Sequence, residues 1–170
     1  MSDTYARFVD AVIGNDPERR NQFRVAQNKR EAGRQIYVIR ERHGFSYEQF
    51  AQILRLHDAS EAESLELGNF DGHGLERLLQ VRKAVKEYQR RQAQAIADIR
   101  AKLQMTQENL AEYSGLSLEV IESVERSDYP SDWNALISRL NRAFQTWATK
   151  VIIPTYQVDP EDYSVKVVNA

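Results

Sequence analysis

Apolar residues recur at intervals of three and four along most of the chain, which is the spacing of one face of an α-helix. Residues 4–13 carry such a stripe. Residues 74–104 carry a longer one, which as a single helix would extend roughly 45 Å; two or three helices with short breaks fit the same pattern. Only four prolines and seven glycines interrupt the chain. We therefore predict a mainly α-helical protein.

A second helix is predicted to begin at Asp16 and Pro17, since Asp caps helices and Pro suits their first turn. It is expected to run to about Arg42, with a break or bend at Gly33. This stretch is basic, with eight Lys and Arg residues from Arg19 to Arg42.

An internal repeat organises the middle of the chain. Residues 39–56 match residues 99–116 at a constant offset of 60, and one extra residue then follows in the first copy. Beyond that residue the match continues to Gly68 in the first copy and Ser127 in the second. A unit of about 50 residues buries too little surface to be stable alone. The two copies are therefore expected to pack together or on the N-terminal helices.

The second copy predicts two short helices joined by a tight turn. Thr106 is a good N-cap for the first helix, Gly115 permits the turn, and Ser117 caps the second helix. Ile121 and Val124 are expected to face inward. Two capped helices in this arrangement make a helix-turn-helix.

Residues 103–131 resemble the XRE family, the helix-turn-helix family of lambda repressor and Cro. The match rests on Thr106-Gln107, Leu110-Ala111, Gly115-Leu116-Ser117, Ile121, Glu125 and Pro130. The first copy keeps Gly44, Ser46, Glu48, Phe50-Ala51, Glu66 and Gly68, but Arg55 replaces the turn glycine. The resemblance implies a lambda-repressor-like fold for both units, with the second helix of each pair entering the major groove of DNA.

The predicted organisation has four parts. They are N-terminal helices (1–33), a degenerate helix-turn-helix unit (34–88), a second helix-turn-helix unit (89–148) and a C-terminal tail (149–170). The tail contains β-prone runs at 151–153 and 165–168, which predict a short β-hairpin or strand pair and a candidate dimer contact.

The resemblance also implies the DNA-binding residues. In the second copy the positions that face the bases are Leu118, Glu119 and Glu122. The residues expected to hold phosphates are Arg100, Lys102, Gln107 and Arg126, together with Arg40 and Arg42 before the first motif. Neither second helix offers the Arg, Lys, Gln or Asn that usually reads guanine or adenine, although Glu can accept a hydrogen bond from cytosine.

Charge keeps a second interpretation open. The chain has 23 Lys and Arg against 25 Asp and Glu, a formal net charge of −2, so DNA contacts must come from a local basic surface. From Gln107 to Asp132 there are seven acids and one Arg. Such acidic helices are also typical of a protein-docking surface, which would make the chain an antitoxin, antirepressor or adaptor on a helix-turn-helix fold. Segregated charge favours self-association as well.

Other chemistry is excluded or unsupported. Cysteine is absent, and His43, His57 and His73 have no metal-ligand spacing. We find no nucleophile and base pair, and expect no cofactor, no metal and no enzymatic activity. No apolar run is long enough to span a membrane, and the N-terminus lacks a signal-peptide pattern. The sequence therefore predicts a small cytoplasmic DNA-binding regulator of the repressor type, without a membrane partner.

Overall fold

The structure, a computed structural model, describes residues 16–152 together with Arg7 and residues 11–14. Its helices are α1 (Pro17–Arg42), α2 (Tyr47–Leu54), α3 (Ala59–Glu66), α4 (Gly74–Lys102), α5 (Gln107–Ser114), α6 (Leu118–Glu125) and α7 (Trp133–Trp147). Residues 11–13 are also helical, and the rest of the helix predicted at 4–13, apart from Arg7, lies outside the described residues. The prediction of a mainly α-helical protein is confirmed for this part of the chain.

Helix α1 begins as its sequence predicts and then continues past Gly33. The Asp16 carboxylate accepts hydrogen bonds from the backbone N–H groups of Glu18 at 2.9 Å and Arg19 at 3.4 Å. Gly33 is a helical residue without a break, and a Cβ atom there would collide with the carbonyl of Glu66 at the end of α3. The missing side chain thus allows close packing of α1 and α3.

Helix α4 is one continuous helix of 29 residues. It passes through the predicted boundary between residues 88 and 89, so the two units share it. Arg82, in its first half, donates a hydrogen bond to Gln35 of α1 at 3.1 Å. Arg100, in its last turn, pairs with Glu125 of α6 at 2.6 Å. Helix α4 is therefore both the last helix of the first unit and the first helix of the second.

A single hydrophobic core runs through both units. Phe45 packs against Phe50 of α2 and Tyr88 of α4, with ring centroids 6.3 and 5.3 Å apart. Trp133 is fully buried in the second unit, and its indole N–H donates to the carbonyl of Tyr129 at 3.2 Å. Because the core is continuous, neither unit has to be stable alone.

The turn after α1 is bonded to the start of α7, which fixes the units to each other. The backbone N–H of Trp133 donates to the carbonyl of His43 at 3.0 Å, and the Asn134 amide donates to the carbonyl of Gly44 at 2.6 Å. Asn134 also exchanges side-chain hydrogen bonds with Gln49 of α2 at 2.7 and 3.2 Å.

The prediction of a β-strand is wrong for the first two residues of the 151–153 run. Ala148–Ile152 forms a π-helical turn that continues α7, so Val151 and Ile152 are not extended. Buried Ala148 and a hydrogen bond from the Thr149 hydroxyl to the carbonyl of Gln145 at 2.8 Å keep this segment helical. The β preference of the local sequence yields to that context. The remainder of the predicted strand pair, from residue 153 onward, lies outside the described residues.

Candidate nucleic-acid interface

Helices α5 and α6 form the predicted helix-turn-helix. Thr106 caps α5 in a reciprocal arrangement with Asn109, with both backbone N–H bonds at 3.1 Å. Gly115 takes the left-handed conformation, with φ of +64°, in the turn between the helices. Ser117 then accepts a hydrogen bond from the backbone N–H of Val120 at 3.4 Å and starts α6.

Helices α2 and α3 repeat this arrangement. Ser46 and Gln49 form the same reciprocal cap as Thr106 and Asn109, and Asp58 starts α3 by accepting from the backbone N–H of Glu61 at 2.9 Å. The extra residue of the first copy is His57, in the turn, whose backbone N–H donates to the Glu61 carboxylate at 2.8 Å. The first copy is therefore intact as a fold.

An ion pair joins the helices of each unit at the corresponding position; it is buried in the first unit and partly buried in the second. Arg40, at the end of α1, binds Glu66, at the end of α3, at 2.6 Å; Arg100 binds Glu125 in the second unit at 2.6 Å. Nη1 of each guanidinium group donates to the carbonyl of Phe45 in the first copy and of Met105 in the second, both at 3.0 Å. We call these two sets of contacts the arginine clamps.

The first residue of α2 or α5 completes each clamp. The Tyr47 hydroxyl donates to Glu66 at 2.9 Å, and the Gln107 amide donates to Glu125 at 2.8 Å. The Arg40 and Glu66 side chains are 9% and 6% exposed, whereas those of Arg100 and Glu125 are 21% and 13% exposed. The clamp of the first unit is thus the more deeply buried one.

Both guanidinium groups keep their charge. Burial lowers the pKa of Arg40, but the hydrogen bond and charge of Glu66 outweigh it and the pKa is raised. The hydrogen bond from Arg100 to Glu125 raises the pKa of Arg100 against a smaller opposing effect of burial. Each clamp therefore holds the C-terminal end of α3 or α6 against the preceding helix.

This geometry places the predicted phosphate-binding residues in two groups. Arg40, Arg100 and Gln107 are engaged in the clamps, inside their own units. Arg42, Lys102 and Arg126 are exposed at the surface. The sequence identifies Glu66 and Glu125 as matching positions of the repeat but does not predict their arginine partners. The repeat of both an Arg and a Glu at matching positions of the two copies was the signal for that pairing.

The outer face of α6 is accessible and acidic. Glu119 is exposed, Leu118 is half-buried, and Glu122 keeps 43% of its side chain exposed while pairing with Arg126 at 3.5 Å. A hydrogen bond with the Ser117 hydroxyl, and then the backbone, lowers the pKa of Glu119. The carboxylate is therefore ionised at neutral pH, so this face carries negative charge.

The corresponding face of the first unit is acidic too. Asp58, Glu61 and Glu63 are exposed along α3. The hydrogen bond from the Glu61 backbone, followed by the contact with His57, lowers the pKa of Asp58. Both candidate reading helices thus present carboxylates.

Among Arg7, residues 11–14 and residues 16–152, no group of three or more His, Asp or Glu side chains could hold a metal ion. None of the helices in that part of the chain is long and apolar enough to cross a membrane. Comparison of the chain with protein-family models, curated proteins and solved structures found no match. Membership of the XRE family therefore stays a prediction from the residues of the repeat.

Proposed function

We propose that the protein binds duplex DNA and regulates transcription, with α5 and α6 as its main reading element. The observation that carries the proposal is the pair of capped helices whose second member, α6, is fixed by an arginine clamp and leaves its outer face accessible. Insertion into the major groove requires a helix whose orientation is fixed and whose outer face is accessible.

The residues divide into contact and positioning roles. Leu118, Glu119 and Glu122 face the bases, where a Glu accepts from cytosine N4 and Leu makes apolar contact with a thymine methyl group. The exposed cations Lys102 and Arg126 hold phosphates in the second unit, and Arg42 does so in the first. Arg40, Arg100 and Gln107 act as positioning residues through their clamps.

Selection of bound sequences from a random duplex pool, at about 50 mM salt, where electrostatic attraction is strong, tests this proposal. We expect one sequence to be enriched, with cytosine opposite Glu119. Glu119→Gln should alter the base preference at that position alone. Glu112→Gln, which removes an equally exposed charge from α5, should leave the selected sequence unchanged. Failure of the wild type to enrich any sequence contradicts the proposal.

The acidic outer faces favour a second function, docking of a basic protein surface. Asp58, Glu61 and Glu63 are all exposed, and no Lys or Arg lies between them in the sequence. Several acids facing a polyanion weaken DNA binding, because phosphate attraction supplies much of the affinity. If this function holds, the Glu61→Gln and Glu63→Gln double variant will not gain duplex affinity. A gain in that variant instead supports DNA as the partner.

We also propose that the chain self-associates, because acidic and basic segments alternate along it. Two tandem units in one chain already provide a two-part reader, whereas a homodimer places its two second units about one helical turn of DNA apart. Sedimentation equilibrium of the full chain distinguishes the two arrangements. If the protein is monomeric at every concentration, the homodimer is excluded and the two units of one chain form the reader.

A further inference from the structure

Helices α1 and α4 leave an open groove of about 440 Å³ between them. Four permanent cations line it: Arg34 and Arg42 from α1, and Arg82 and Lys86 from α4. All four residues are exposed. The volume is sufficient for a small molecule, and the charge of the lining distinguishes this groove.

The charge of the groove is poorly balanced by the protein itself. No carboxylate belongs to its lining in the described part of the chain. Lys86 pairs with Asp128 at 3.2 Å, but both side chains are about 60% exposed, so the pair is screened by water. Arg82 is held by the neutral amide of Gln35. Four cations on two neighbouring helices, with no carboxylate in the described lining, give this groove a positive potential that attracts an anion.

Neutral polar groups stand beside the cations. His43 Nδ1 lies 3.2 Å from the carbonyl of Ser131 and 3.5 Å from the side-chain nitrogen of Gln89. Gln35 accepts from Arg82 with its oxygen, and its side-chain nitrogen contacts Glu31 at 3.3 Å. The side chains of Gln35 and Gln89 thus lie in the lining together with the cations.

The floor of the groove is apolar. Val38 and Ile39 of α1 and Val85 of α4 line it, and Val38 keeps 45% of its surface exposed. A bare inorganic anion leaves this floor in contact with water. A ligand with a phosphate at one end and an apolar or planar body at the other covers the floor and neutralises the rim.

We propose that this groove binds a small organic phosphate of mononucleotide size, whose phosphoryl group is held by Arg34, Arg42, Arg82 and Lys86. The proposal goes beyond DNA binding; it shares only Arg42 with the phosphate contacts proposed above, and its test uses two of the other groove cations. The groove lies beside the turn that leads from α1 into the first helix-turn-helix. Its Lys86 also donates to the carbonyl of Ser127, directly after the second helix-turn-helix, at 2.6 Å. A bound ligand therefore touches segments that position both units.

Titration of the full chain with adenosine 5′-monophosphate, adenosine and inorganic phosphate tests the proposal, by calorimetry and by NMR of side-chain amides. We expect the nucleotide to bind at least about tenfold more tightly than adenosine, as hydrogen bonds to charged groups predict. Inorganic phosphate should also bind more weakly, because it leaves the apolar floor uncovered. The amide signals of Gln35 and Gln89 should shift. Equal affinity for nucleotide and adenosine, or no binding of either, overturns the proposal.

A matched pair of double variants locates the site. Arg34→Gln with Arg82→Gln removes one cation from each side of the groove. Arg30→Gln with Lys83→Gln removes the same charge from the same two helices outside its lining. We expect the first variant to lose at least about tenfold in nucleotide affinity and the second to stay near the wild type. Equal losses in both variants, with unfolding curves showing both folded, would falsify a defined site.

Discussion

Left-handed backbone positions distinguish the two copies at the scale of single residues. Gly115 makes the turn of the second copy, whereas Arg55 makes it in the first with φ of +57°. Two further pairs follow the same rule, Gly44 with Gln104 and Gly68 with Ser127: one copy has glycine and the other a larger residue at positive φ. A side chain there costs about 1 kcal/mol or more. In each pair the copy with the larger residue therefore carries the backbone strain, while both copies keep a positive φ.

Replacing Arg55 by Gly should relieve that strain. We expect the free energy of unfolding to rise by about 0.5 to 1 kcal/mol, after allowance for the greater freedom of glycine in the unfolded chain. The reverse change, Gly115→Arg, should lower it by a similar amount or more. Urea unfolding of the two variants measures both effects. A loss of stability in Arg55→Gly would show that the arginine side chain has a stabilising contact of its own.

Gln92 offers a second test at this scale. The side chain is fully buried in α4, and among the described residues neither amide atom makes a hydrogen bond of good geometry. Burial raises the pKa of the nearby Tyr88 hydroxyl, and its contact with the Gln92 side chain acts in the opposite direction. The first copy has the small apolar Ala32 at the matching position. Gln92→Met, which keeps the length and removes the unpaired polar atoms, should stabilise the protein by about 1 kcal/mol. A lower melting temperature in this variant would mean that the amide has a partner in solution.

At the scale of elements, the arginine clamps decide where α3 and α6 lie. Breaking a buried ion pair leaves one charge unpaired, so Arg40→Met should cost about 3 kcal/mol in the free energy of unfolding. Arg126→Met removes an arginine from the exposed pair with Glu122 and should cost less than about 0.5 kcal/mol. Denaturant unfolding compares the two. Similar costs for both variants would contradict the structural role of the clamp.

The sequence was informative about elements because their signals are local. Thr106, Gly115 and Ser117 act on their immediate neighbours, and each has the predicted effect. Contacts between distant segments were harder to predict. The clamp joins residues 26 positions apart in the first unit, and the groove needs α1 and α4 side by side. The β preference at Val151 failed for the same reason, since the preceding helix determines the conformation there.

At the scale of the whole molecule, His43 lies at the contact between the two units, and its pKa depends on that contact. Burial lowers its pKa below the ordinary 6.5, and the charge of Arg42 adds to this against the opposing bond to Ser131. The unfolded chain therefore takes up a proton here at higher pH than the folded one.

The stability that neutral His43 contributes should be complete above pH about 6.5 and lost as the pH falls toward the lowered folded pKa. His43→Gln removes this dependence. The difference between the unfolding free energies of wild type and variant should thus shrink as the pH falls through that window. A difference that does not change with pH would contradict the assignment to His43.

The salt dependence of duplex affinity tests most directly whether the second helix-turn-helix unit binds DNA. The wild type and the Lys102→Gln, Arg126→Gln double variant would be compared on the selected duplex by fluorescence anisotropy, between about 50 and 200 mM salt. Loss of two phosphate contacts should weaken binding and reduce the slope of log affinity against log salt by roughly 2. An unchanged slope in the double variant, or no duplex binding by the wild type at the lowest salt, would contradict DNA binding by this unit.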